Sequence, residues 1–105
     1  MNITYFLTGS YNDVDNDFEL TINTITSVDQ SESKDSCEVV LRDISSENKL
    51  MWQTTQPTFV LCLNDLDEFI IENTILFYSK ILTSSHRDNV IDKELEGFIL
   101  NRLEY

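Results

Sequence analysis

The stretch T58-F-V-L-C-L-N-D-L-D-E-F-I-I-E-N-T-I-L-F-Y-S-K-I-L82 is the most apolar part of the chain, and its reading decides the fold. Phe59 to Leu63 is rich in β-formers and follows Pro57, which reads as a short strand, the fifth in the chain. Apolar residues on both of its faces place it centrally. Asn64 then opens a long helical pattern as an N-cap. Asp65, Asp67 and Glu68 fall in the expected first turn, where carboxylates suit the helix dipole. Leu66, Ile70, Phe77 and Ile81 form one stripe, with Ile71, Ile75, Tyr78 and Leu82 beside it. A stripe this wide predicts a helix lying flat on a sheet.

Upstream, the sequence reads as strands. Ile3, Tyr5 and Leu7 alternate with Thr4, Phe6 and Thr8 up to Gly9-Ser10. Tyr11 to Asp17 is an acidic turn region. Phe18, Leu20 and Ile22 mark a second strand, and Ile25 breaks their alternation. A β-bulge near Asn23-Thr24 explains that slip, and so does a break into two short strands. Asp29 to Ser36 reads as a polar loop, Cys37 to Ile44 as a third strand, and Lys49 to Thr54 as a fourth. Leu50 and Trp52 are expected to point one way. Downstream, Thr83 to Asn89 caps a second helix, Val90 to Leu103. The expected fold is α+β over residues 1–105 as a single domain: about five mostly antiparallel strands, then two C-terminal helices packed on one face of the sheet.

Composition bounds the function. A chain of 105 residues with 41% apolar side chains suffices for one core, burying roughly two-thirds of its unfolded surface. Nineteen acidic against seven basic residues give a net charge of -12. That field repels nucleic acid and anionic membrane and attracts basic partners. Direct nucleic-acid binding needs a basic stripe, which the chain lacks. No apolar run approaches the ~20 residues of a membrane helix, and MNITYFLTGS lacks the basic and apolar regions of a signal peptide. A cytoplasmic protein is expected. Cys37 and Cys62 sit in apolar runs and read as buried free thiols, with a disulfide as the other reading.

Each motif has a plain structural explanation. Asp13, Asp15 and Asp17 copy the start of an EF-hand loop, but Phe18 replaces its sixth-place glycine and Thr24 its twelfth-place glutamate. No metal or other cofactor is expected. Ser84, Ser85, His86 and Asp88 supply the residue types of a triad within one short loop, whereas triads assemble from distant segments. The aromatics Tyr5, Phe6, Trp52, Phe59, Phe69, Phe77 and Phe98 read as core, while Tyr11 and Tyr105 read as exposed anchors. No catalytic signature is present, and no enzyme is expected. Glu68 and Glu72, four apart on one helix face, repel each other weakly, and capping does not explain Glu72. Two carboxylate groups are therefore candidate partner surfaces: Asp13, Asp15, Asp17 and Glu19, and Asp65, Asp67, Glu68 and Glu72.

In overall character the chain resembles the immunity proteins of bacterial toxin–immunity pairs, above all those of contact-dependent growth inhibition. The resemblance lies in the opening strand MNITYFLTG, the acidic strand-and-loop segments and the capped NDLDEFIIENTILFYSKIL. It implies a cognate basic toxin domain as partner, commonly a nuclease, whose active site the immunity protein occludes with carboxylates. The alternative is a phage-type nucleic-acid mimic that inhibits a host defence nuclease. Mimics spread charge over most of their surface, whereas here the acids gather near Asp13 to Glu19, Asp29 to Glu38 and Asp65 to Glu72. A small adaptor subunit whose charge serves only solubility is a third reading. The oligomeric state is left open.

Overall fold

A computed structural model describes residues 2–29 and 32–103. Five strands form one antiparallel sheet in the order β4-β3-β2-β1-β5. They are β1 (Asn2–Tyr11), β2 (Val14–Asp29), β3 (Glu32–Asp43), β4 (Lys49–Gln56) and β5 (Ile75–Leu82). Helix α1 (Phe59–Glu72) lies between β4 and β5 in the chain, and α2 (Asn89–Leu103) ends the described part. A 3-10 turn, Ile44–Ser46, links β3 to β4. The α+β class, the antiparallel sheet and the two helices match the sequence-based expectation.

The segment Thr58–Leu82 is divided the other way round. Phe59–Leu63 is the start of α1, and Ile75–Leu82 is the fifth strand. Thr58, in extended conformation, caps the helix: its hydroxyl accepts from Leu61 N at 3.3 Å. Cys62, Leu66 and Ile70, with Leu63 beside them, form a buried stripe at helical spacing, so burial along one face overrides the β-propensity of FVLCL. The helix stops at Asn73, whose backbone N–H and side-chain amide both donate to the Phe69 carbonyl. Thr74 then takes a left-handed turn, φ 54°. Beyond it Ile75 and Phe77 are buried while Leu76 and Tyr78 are not, the alternation of a strand. This fifth strand lies at a sheet edge rather than in the centre.

One face of the sheet carries the core. Ile3, Tyr5 and Leu7 of β1 stand opposite Ile22, Leu20 and Phe18 of β2, which in turn face Val39, Leu41 and Asp43 of β3. Cys62, Leu63, Leu66 and Ile70 of α1 and Ile91, Leu95 and Ile99 of α2 complete the same buried cluster. Phe18 and Phe77 meet edge to face at 5.4 Å, and Trp52 stacks on Phe69 at 6.0 Å. Phe6 is not core: it lies on the other face, 43% exposed.

The hairpins are tighter than the sequence suggests. Tyr11 pairs with Val14, so the β1–β2 turn is only Asn12-Asp13, both with positive φ as a type I′ turn requires. β2 runs unbroken, and its register with β3 holds from Phe18–Asp43 to Asp29–Glu32. Ile25 needs neither a bulge nor a break; it lies on the face away from the helices. The expected loop from Asp29 to Ser36 is largely strand, with Gln30 and Ser31 outside the described residues. Bulges occur elsewhere. One in β4 pairs Leu50 with Arg42 and Trp52 with Leu41, leaving Met51 extra, so Leu50 and Trp52 face opposite ways.

Asp88 caps α2 by accepting from Val90 N and Ile91 N. Within α2, a Cβ added at Gly97 meets nothing within 4 Å. Gly97→Ala is therefore expected to stabilise the protein by about 0.8 kcal/mol, through helix propensity and lower unfolded-state entropy. Urea denaturation checks this; an unchanged or lower midpoint contradicts it.

Candidate binding surfaces

The eight carboxylates singled out in the sequence fall into two groups on opposite sides of the sheet. Asp13 is at the tip of the β1–β2 hairpin. Asp15, Asp17 and Glu19 alternate with core-facing Phe18 and Leu20, so they project from the face without helices. Asp65, Asp67, Glu68 and Glu72 belong to α1, on the helical side.

Half of the α1 group is engaged within the chain. Asp65 accepts from the Thr54 hydroxyl at 2.7 Å and from the Gln56 amide at 2.8 Å. These two bonds hold its carboxyl below the usual range. Asp67 pairs with Arg102 of α2, joining the two helices. Neither is in the first turn, because α1 begins at Phe59. Glu68 and Glu72 are exposed and form no ion pair among the described residues.

The open face of the sheet can be laid out from the strand register. One row across it runs Ile81, Phe6, Glu19, Arg42, Leu50. The next, toward the hairpin tip, contains Ser79, Thr8 and Asp17. Asp13, Asp15 and Asp17 are exposed and have no ion-pair partner among the described residues. Arg42 is the one cation that the described side chains place on this face. Phe6, Tyr78 and Ile81 expose 43%, 44% and 62% of their surface near the β5 edge. Sequence reasoning missed this apolar strip because it assigned Tyr78 and Ile81 to a helix.

A cleft of about 490 Å³ opens at the hairpin end of the other face, beyond the C-terminal end of α1. Tyr11, Asn16, Asp43, Ser46, Lys49 and Phe69 contribute to its lining. No sequence motif marks it, since these residues come from six separate elements.

Other candidate groups have structural roles. Cys37 and Cys62 are buried, free and adjacent, the Cys62 thiol donating to the Cys37 carbonyl at 3.2 Å. Burial pushes both thiols up, Cys62 to about 12, the reverse of an activated nucleophile. His86 is exposed; Ser84 donates to its backbone carbonyl, and Asp88 caps α2, so the loop assembles no triad. The buried Tyr5 hydroxyl donates to Asp92, which also accepts from Arg87 Nε at 2.8 Å. The Tyr5 bond, with help from Arg87, keeps the Asp92 carboxyl low, while burial and Asp92 push Tyr5 up. This network fastens the start of α2 to the central sheet. Tyr105 lies outside the described residues.

Among the described residues, no group of three or more His, Cys, Asp or Glu is placed to hold a metal ion. No described helix is long and apolar enough to cross a membrane. Comparison with protein-family models, curated proteins and solved structures finds no match to this chain.

Proposed function

We propose that the chain is a stoichiometric protein inhibitor, an immunity protein acting in the cytoplasm on a cognate basic toxin domain, most naturally a nuclease. The observation that carries this reading is the row of uncommitted carboxylates Asp15, Asp17 and Glu19 on an open, hydrogen-bonded sheet face. The strand backbone fixes their spacing, so little order is lost when they meet a partner. Exposed Phe6, Tyr78 and Ile81 beside them provide the apolar contact area that a specific interface needs.

The physics suits inhibition of a nucleic-acid enzyme. A nuclease cleft is lined with Lys and Arg to track phosphates spaced ~3.4 Å apart along a strand. A folded acidic face competes for those cations. With a net charge of -12, long-range attraction also speeds capture, up to roughly 10⁸–10⁹ M⁻¹s⁻¹ at low salt. An inhibitor of a toxin that arrives active benefits from a fast association rate.

Reversing Asp15→Lys and Asp17→Lys together is expected to weaken partner binding by at least about tenfold, through slower association and a weaker salt dependence. Both side chains are exposed, so folding stability should stay within about 0.5 kcal/mol. Titration calorimetry at two salt concentrations, with a thermal melt as control, checks both. Affinity unchanged within a factor of two removes this face from the interface.

A further inference from the structure

Asp43 is the one buried charged side chain among the described residues, only 8% exposed. It stands opposite Phe18 in the β2–β3 ladder, on the core-facing side, and lines the cleft together with Phe69 and Asn73 at the C-terminal end of α1. One oxygen, Oδ1, accepts from Ser46 N at 3.2 Å and caps the 3-10 turn. The other makes no hydrogen bond with any described residue, and it is not sealed in the interior. It opens to the 490 Å³ cleft, a volume within the usual range for ligand pockets. Lys49 is directly across the β3–β4 pairing, yet it is exposed and forms no ion pair with Asp43.

We propose that this cleft is a socket for an arginine side chain presented by a protein partner. The second oxygen is free to accept from a donor that enters the cleft, and the low exposure of Asp43 strengthens a charge-assisted bond made there. A guanidinium suits the site better than an ammonium. It is planar, less strongly hydrated and stacks on aromatic faces, and Tyr11 and Phe69 border the cleft. Asn16 and Ser46 supply further side-chain oxygens for its remaining N–H groups. The surrounding -12 field favours a cation over an anion. The choice of a basic partner rests on the reading proposed above. The arginine site itself does not, and it is on the opposite side of the sheet from Asp15 and Asp17. A partner that reaches both grips the molecule around its hairpin end.

The test uses the intact chain and a blocked arginine, Nα-acetyl-arginine methylamide, followed by ¹⁵N–¹H NMR titration. The expected result is saturable shifts confined to amides around Tyr11, Ser46 and Lys49, absent with the uncharged norleucine analogue. Asp43→Asn keeps a side-chain oxygen for the turn cap and is expected to weaken binding at least fivefold. Lys49→Gln is expected to leave it equal or tighter. Three outcomes overturn the socket: no saturable shift, equal binding by Asp43→Asn, or loss of binding in Lys49→Gln, which marks an anion site. Should Asp43→Asn fail to fold, the wild-type comparison of arginine with norleucine and the Lys49→Gln titration still decide. No toxin enters this experiment, so failure of the socket and failure of the inhibitor reading are seen separately.

Discussion

Gly9→Ala is expected to cost about 3 kcal/mol, the upper end for overpacking a filled core. Gly9 is buried in β1, next to a register shift where Thr8 pairs with Ser79 but Gly9 pairs with Phe77, leaving Tyr78 extra in β5. There the two backbones come together. An alanine Cβ would fall well inside contact distance of the Leu76 carbonyl oxygen and 3.0 Å from Phe77 Cα. Both are main-chain atoms, so no side chain can swing away. Relief requires β5 to move off β1, which strips Ile75 and Phe77 from the core. In a domain of this size the loss corresponds to a melting-point drop of roughly 12–24 °C. Thr8→Ala, at an exposed neighbour, is the control and should stay within about 0.5 kcal/mol. A Gly9→Ala protein within 1 kcal/mol of wild type, roughly the typical cost of any point mutation, contradicts the close approach of β1 and β5.

Alkaline pH is expected to produce the other large effect. The Cys62 thiol is pushed up to about 12 in the native state by burial, with the neighbouring Cys37 adding to the shift. A group whose native pKa lies above its unfolded value contributes fully below the unfolded value. The contribution fades as pH rises toward the native pKa. From about pH 9 to about pH 11 the unfolded thiol ionises and the native one does not, which removes about 3 kcal/mol at roughly 1.4 kcal/mol per unit. Cys37 and Tyr5 are raised too and act in the same direction. Urea denaturation at a series of pH values, with a reductant present, reads this slope. Cys62→Ala is less stable throughout because of the cavity it leaves, but its stability should fall less steeply with pH. Equal slopes for the two proteins contradict the buried-thiol assignment.

At acid pH the sign reverses. Asp65 and Asp92 have lowered carboxyl pKa values, so what they contribute is present above the ordinary carboxylate range and lost as pH falls through their native values.

The fold class was legible because strand alternation in Ile3–Thr8, Phe18–Ile22 and Cys37–Leu41 is strict and each core-facing residue is apolar. The division of Thr58–Leu82 was not. Phe59 to Leu63 has strand-like side chains, and only the later positions Leu66 and Ile70 reveal that Cys62 begins a helical stripe. Ile75, Tyr78 and Leu82 fit helical spacing as well as strand alternation, and the left-handed Thr74 that separates the two elements has no strong sequence mark. The exposed acids of the hairpin could be found from charge alone. Asp43 could not: in sequence it is one acid among nineteen, and its burial arises only when β2, β3 and the turn after β3 come together. The exposed apolar strip Phe6–Tyr78–Ile81 was hidden for the same reason, since it depends on β5 lying beside β1.

The inhibitor reading predicts a basic toxin domain encoded next to this chain, and co-expression of the two tests it most directly. The predicted result is restored growth of the host and a one-to-one complex whose affinity falls steeply with salt. A toxin domain that kills equally well with and without the chain, and with which no complex forms, contradicts it.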